Sequence, residues 1–375
     1  MAKVAVVKCS SYDYDLVFSK VSEAINLIGG FELKKGAKVL VKPNLLGDHK
    51  PEDAVTTHPF VVEAVVRILK EKGADITIGD SCGMGVIGGT RAVLETTGMN
   101  NVAKKHNIKA LALETKTKVI TDNNAKILKT MRVSSIAEEA DLIINLPKLK
   151  THSLMRYTGA VKNIFGIIPG GNKPGYHSTA PREDEFGNLL VDIYQNFTPE
   201  LSIMDGIVGI EGNGPGSGGI KKQAGIILAS KDAVCLDIVA SKIIGFEPLE
   251  IRTTKYAIER GVSDGKAEIV GEANLSIPFK KPITAPSFVP DWVSKRIIEY
   301  IKVSPHVIKE KCLSCRTCFA ACPVHAISMD KKARIDNKKC INCFCCHELC
   351  PYKAIELRQP LLLRVLVMIR RMIKL

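Results

Sequence analysis

Cys312, Cys315 and Cys318 are each separated by two residues, and Cys322 follows after three more, directly before Pro323. The same run returns 28 residues later as Cys340, Cys343, Cys346 and Cys350 before Pro351. Three thiolates at this spacing wrap one four-iron cube, while the cysteine before the proline reaches across to a second cube. The pattern therefore assigns Cys312, Cys315, Cys318 and Cys350 to one [4Fe–4S] cluster. Cys340, Cys343, Cys346 and Cys322 take the other. The repeat continues past the cysteines, since His325-Ala326-Ile327-Ser328 aligns with Lys353-Ala354-Ile355-Glu356, as a duplicated unit requires. Structural zinc uses paired ligands rather than triplets with a distant Cys-Pro. Cys345 is one thiol too many and reads as a bystander packed near a cube.

Residues 311–357 resemble the bacterial two-cluster ferredoxins over the whole stretch. Nine of the twelve cysteines lie between 312 and 350, which argues for metal rather than disulfides and leaves Cys9, Cys82 and Cys235 as reduced core thiols. A chain of 375 residues exceeds one ordinary domain, so a large core is expected beside this small unit. The opening Met1 to Lys8 is too short and strand-like for a signal peptide, which sets the expectation of a reducing cytoplasm. Net charge is +14. Residues 311–357 hold eight Lys/Arg against four Asp/Glu, and each oxidised cube with its thiolates adds about −2. The loaded module is then near neutral, unlike an acidic, freely diffusing carrier, and looks built to serve an attached domain. A basic chain also raises nucleic acid as a partner, but aromatics are only 5% and no recognition motif is present, so none is expected.

Residues 1–270 must supply that attached domain. Val4–Val7, Val39–Val41, Ile76–Ile78 and Leu142–Leu146 are apolar runs of strand length, and Leu16–Ile28 and Phe60–Lys72 have helical spacing, closed by Gly29-Gly30 and Gly73. Continuous apolar strands between amphipathic helices predict an α/β fold with a mostly parallel sheet covered on both faces, followed by a small α+β ferredoxin-like domain with duplicated cluster motifs. Ligands of such sheets sit beyond the carboxyl ends of the strands. The residues there are Lys42-Pro43-Asn44, Gly79-Asp80-Ser81 and Pro147-Lys148-Leu149-Lys150-Thr151-His152. Lysines with asparagine and histidine at one edge suit a small anionic substrate.

These segments, with Thr158 to Gly166 and Asp205 to Gly216, stand in the same order in the family of domain of unknown function 362, whose members often carry a C-terminal ferredoxin module. The resemblance covers roughly residues 3–270 and implies architecture and candidate residues, not a reaction. His152, Lys150 and Asp80 are the catalytic candidates, with His152 as proton donor because its unperturbed pKa lies nearest working pH. Lys42, Asn44, Lys162 and Asn163 are the substrate-binding candidates. The glycine-rich stretch from Asp205 to Gly219 reads as an anion-binding loop or a surface lid. Gly83-Met84-Gly85-Val86-Ile87-Gly88 matches a dinucleotide fingerprint, but Asp80-Ser81-Cys82 intervenes where a tight turn is required.

The expected division is residues 1–274 for the α/β domain, 275–310 for a proline-rich linker and a helix around Trp292, 311–357 for the ferredoxin, and 358–375 for a basic apolar tail. Eleven of the fifteen residues from Leu361 to Leu375 are apolar and four are basic. That is too short to span a bilayer and suits shallow contact with an anionic membrane surface or docking on its own domain. The expected function is an iron–sulfur oxidoreductase whose two clusters relay electrons to or from the bound anion. The alternative is a non-catalytic electron-transfer or assembly protein docking to a separate redox partner. A non-redox enzyme with structural clusters is the third reading.

Overall fold

The computed structural model describes residues 1–283 and 302–360. Twelve strands precede the cysteine module: β1 (Ala2–Lys8), β2 (Lys38–Pro43), β3 (Asp75–Asp80), β4 (Lys109–Ala112), β5 (Thr117–Thr121), β6 (Thr130–Ser134), β7 (Leu142–Leu146), β8 (Lys148–His152), β9 (Arg156–Thr158), β10 (Leu201–Gly212), β11 (Gly219–Ser230) and β12 (Ala267–Gly271). Ten form one sheet in the order β12-β1-β11-β10-β7-β2-β3-β4, with β8 and β9 attached beside β10, while β5 and β6 make a separate hairpin. Pairing is parallel from β10 through β7, β2 and β3 to β4. Only β11 runs antiparallel to both its neighbours, β1 and β10. The mostly parallel α/β sheet expected from the sequence is what forms.

The apolar runs are continuous because both faces are covered. Leu40 and Ile143 point into a core shared with the helices Glu183–Asn196 and Ala233–Ile243. Their neighbours Val39, Val41 and Ile144 point into the opposite core, shared with Tyr14–Leu27 and Pro59–Glu71. The first of these helices starts where Asp13 accepts a bond from the Leu16 N–H at 3.0 Å, and it ends at Gly29, whose φ of 85° closes the last turn. Parallel register then fixes the site edge: Val39 lies opposite Leu142, so Lys42 lies opposite Asn145, while Val41 lies opposite Ile78, two residues before Asp80.

Pro147–His152, the polar stretch beyond β7, contains a further strand. β8 runs parallel to β10 and antiparallel to β9, and all five of its residues are buried. Two buried lysines are tolerated there because partners arrive from elsewhere. Lys148 meets Asp205 at 2.7 Å and Tyr12 Oη at 2.6 Å, and Lys150 meets Asn44 Oδ1 at 2.5 Å and the Val55 carbonyl at 2.8 Å.

The module reaches back beyond residue 311. β13 (Ser304–Val307) pairs antiparallel with β16 (Ile355–Arg358), and β14 (Ile327–Met329) pairs with β15 (Ala333–Ile335). The start of the expected linker is also pinned down: Ile277 and Phe279 donate to the carbonyls of Ile243 and Ile244, and the Phe279 ring joins the core. The helix around Trp292 and the tail from Leu361 lie outside the described residues. Among the described residues no helix is long and apolar enough to cross a membrane.

Candidate functional site

The cysteine loops fold twice into one shape. Ser314, Arg316 and His325 take left-handed backbone conformations, and Asn342, Phe344 and Lys353 repeat them 28 residues later. The Ala326 N–H donates to Cys322 Sγ at 3.2 Å and the Ala354 N–H to Cys350 Sγ at 3.3 Å. Cys312, Cys315, Cys318 and Cys350 line a single cavity whose other walls include Leu313, Met329, Ala333 and Ile355. The Cys318 thiol is pushed up to about 11, first by burial and then by Cys350, Cys315 and Cys312. Cys340 feels Cys343 and Cys322, and Cys346 feels Cys343, Cys340, Cys318 and Cys322. Cys312, Cys315, Cys318 and Cys350 thus share one cavity, and Cys340, Cys343, Cys346 and Cys322 lie near one another beside it. Among the described residues no three Cys, His, Asp or Glu side chains are arranged for a single metal ion. Thiolates spread over a cube, with backbone N–H groups aimed at sulfur, fit a four-iron cluster.

The second half of this module is pressed into the α/β domain. His347, on the one-turn helix Cys345–Glu348, places Nε2 3.0 Å from the Asn213 carbonyl and Nδ1 2.6 Å from that of Ile355. The Ser217 hydroxyl donates to the Cys350 carbonyl at 2.6 Å. A Cβ on Gly216 would collide with the Glu348 carbonyl. The Asp205–Gly219 stretch is therefore no surface lid but the end of β10 and the turn into β11, and that turn seats the ferredoxin. The apparent dinucleotide fingerprint has a related role. A Cβ on Gly83 would lie 2.8 Å from Leu349 Cδ2, and one on Gly85 2.7 Å from the Thr317 carbonyl.

Between the two bodies lies a cavity of about 90 Å³. Asn44, Asp80, Ser81, Thr158, Lys162, Asn163, Phe165, Lys173 and His177 line it from the sheet side, and Cys345, Glu348 and Leu349 close it from the ferredoxin. Lys42 and Asp80 form a buried pair at 2.8 Å, and Asp80 also accepts from the Leu45 N–H at 2.7 Å. Lys150 stands behind Asn44. Burial lowers Lys162 from its ordinary value, with Glu348 opposing, and Lys162 forms no ion pair among the described residues. Lys173 donates to the Ser81 carbonyl and is lowered to about 8 by burial, against the pull of Asp80. Four lysines thus line the cavity or stand directly behind it against two carboxylates. An anion fits that imbalance.

The model of the family described as domain of unknown function (DUF362) matches residues 39–242. A thylakoid-associated protein of Synechocystis sp. is 33% identical over 282 residues, which are 74% of this chain and 84% of that protein. The chain belongs to the DUF362 family. A 4Fe-4S dicluster domain matches residues 311–354, so the C-terminal module binds 4Fe-4S clusters and has the equipment for electron transfer. Two solved structures are more distant. The lactate racemase apoprotein from Thermoanaerobacterium thermosaccharolyticum has a TM-score of 0.42 at 12% identity, over 67% of this chain and 57% of that one. A protein from Thermotoga maritima has a TM-score of 0.39 at 14% identity, over 68% of this chain and 60% of that one. The chain spans less than two thirds of either, and likenesses this remote carry no argument.

The DUF362 domain brings Lys42, Asn44, Asp80, Lys162 and Asn163 around one cavity, with Lys150 directly behind. His152 is the exception. Its ring is fully buried, Nδ1 accepts from the Leu154 and Met155 N–H groups, and burial followed by Lys162 lowers it well below the ordinary histidine range. A histidine held neutral is no proton donor at working pH. Its Nε2 instead faces Glu348 Oε1 at 3.4 Å, across the junction with the module. Lys150 is likewise enclosed and lowered well below its ordinary range, first by burial and then by Lys162 and Lys148. Sequence reasoning missed Lys173, His177, Cys345 and Glu348 as cavity residues. Only Cys345 carried a signal, as the thiol that the cluster pattern left over.

Proposed function

We propose that this DUF362 protein is an iron–sulfur oxidoreductase acting on a small anion held between the sheet edge and the ferredoxin. One observation carries the reading: the helix that bears Cys346 is also a wall of the cationic cavity, through Cys345 and Glu348. A four-iron cluster passes one electron at a time, and two clusters match the electron pair of a closed-shell substrate. Lys162 and Lys173 would hold the anion, Asn163 would orient it, and Phe165 and Leu349 would exclude water. Lys173 replaces His152 as the candidate acid, because an ammonium lowered to about 8 can give up a proton near neutral pH. An external one-electron carrier would exchange at the other cysteine set, beneath Leu313 and Tyr352, which are 62% and 41% exposed.

The test uses anaerobic holoprotein reduced with dithionite and freed of excess reductant. Small carboxylates and phosphates should restore its oxidised visible spectrum, and Lys162→Met should abolish that. Reoxidation by a protein acceptor but by no small anion would establish the relay reading instead. The tail from Leu361 and the segment around Trp292 would touch an anionic membrane surface, a reading in keeping with the thylakoid-associated relative.

A further inference from the structure

One residue lining the cavity carries an acceptor that an anion alone leaves unserved. Asn163 is 5% exposed, and its Nδ2 donates to Asn145 Oδ1 at 2.8 Å. Asn145 can only accept there, because its own Nδ2 already donates to the Ala160 carbonyl at 3.0 Å and to Ser202 Oγ at 3.2 Å. That chain fixes which end of the Asn163 amide faces away from Asn145. Its Oδ1 is buried and has no hydrogen-bond partner. A buried acceptor without a donor is destabilising, so a donor belongs beside it. No lysine around the cavity donates to it: Lys42 bonds to Asp80 and Pro43, Lys150 to Asn44 and Val55, and Lys173 to Ser81, while Lys162 makes no side-chain hydrogen bond among the described residues.

We infer that the ligand is a small carboxylic acid bearing a hydroxyl or amino group next to its carboxylate, with Asn163 Oδ1 accepting from that group. The inference rests on the anion-site reading above and sharpens it. Lys162 and Lys173 take the carboxylate, and the O–H or N–H turns to Asn163. Phe165 and Leu349 offer apolar surface to the carbon chain. The size agrees. A water-sized group needs roughly 10–15 Å³ of such volume, so a cavity of about 90 Å³ holds a ligand of roughly six to nine non-hydrogen atoms.

Calorimetric titration of the holoprotein with 2-hydroxybutyrate, 2-aminobutyrate and butyrate tests this without any mutation. At least one of the substituted acids should bind ten-fold or more tightly than butyrate, since a site built around a polar group rejects the analogue that lacks it. Asn163→Ala should bring that acid to the level at which the same variant binds butyrate, and Lys162→Met should weaken all three alike. Equal affinity of the three acids, no binding of any, or a preference that survives in Asn163→Ala would overturn the inference. Binding is read here whether or not electrons flow. Donor-dependent binding without reoxidation of reduced clusters would defeat the oxidoreductase reading alone. Reoxidation with equal affinities would defeat this inference alone.

Discussion

Residues 312–329 and 340–357 follow the same course, with left-handed residues, one-turn helices and N–H···S bonds recurring at an offset of 28. Their surroundings diverge. In the first half Leu313 and Phe319 are exposed, and the loop meets the DUF362 domain near Gly85. In the second half Cys345, Cys346, His347 and Glu348 are all buried, against Asn213 to Ser217 and the cavity. The helix positions compare as Thr317 with Cys345, Phe319 with His347 and Ala320 with Glu348. Cysteine spacing sets the backbone in both halves. The side chains between the ligands decide which half is a wall of the cavity and which one faces outward.

The sharpest way to break the comparison is metal content. Anaerobic protein should carry about eight irons per chain, and Cys346→Ser or its counterpart Cys318→Ser should each leave about four. Cys345→Ala should retain all eight, because its counterpart Thr317 is no ligand. Iron and sulfide analysis decides this, and loss of a cluster in Cys345→Ala would end the equivalence of the halves.

Seating comes next. Gly216→Val should destabilise the protein by about 1–3 kcal/mol through overpacking against Glu348, read as a lower melting temperature and faster proteolysis between the two bodies with the cluster spectrum intact. Gly171, with nothing near its missing Cβ, should tolerate Ala within about 0.5 kcal/mol. Similar effects at both glycines would show that the second half is not held as described.

In the cavity, Lys162→Met should weaken phosphate or carboxylate binding by about 10- to 100-fold, the worth of a largely desolvated charged partner. The pH response should follow Lys173. The ammonium form holds the anion, and folding has lowered its pKa to about 8. Affinity should therefore be full below that value and fall about ten-fold per unit as pH rises above it, until the anion is held by the remaining groups. Lys173→Met should bind more weakly and lose this slope. A slope that survives the substitution would move the titrating group elsewhere.

The smallest effect concerns the tail, an extension that the first half lacks. Intact protein should sediment with anionic vesicles at low salt, each basic residue adding about 1 kcal/mol, while a chain ending at Arg358 should stay in solution with its clusters. Equal sedimentation of the two forms would remove the membrane role. Clusters lost on truncation would mean that the tail covers the module.

Both regions were legible in the sequence to the extent that local spacing carries information. The cysteine runs announced the repeated loops and the cavity that Cys350 shares with Cys312, Cys315 and Cys318, because ligands at set intervals leave the backbone few courses. Apolar runs such as Val39–Val41 and Leu142–Leu146 gave the parallel strands, and the residues after them, Lys42, Asn44 and Asp80, reached the same edge. The tertiary structure decided the rest. Lys148–His152 became a strand because Asp205, Tyr12, Asn44 and Val55 arrive from distant segments to satisfy its lysines, and no local pattern announces them. His152 lost the acid role to burial, which depends on the module packed against it. The glycines at 83, 85 and 216 looked like ligand loops, and only the Leu349, Thr317 and Glu348 atoms facing them show that they make room for another part of the chain. Lys173, Cys345 and Glu348 meet across as many as 175 residues of sequence. Spacing along the chain reports what one element must do, whereas burial and charge pairing depend on which elements meet.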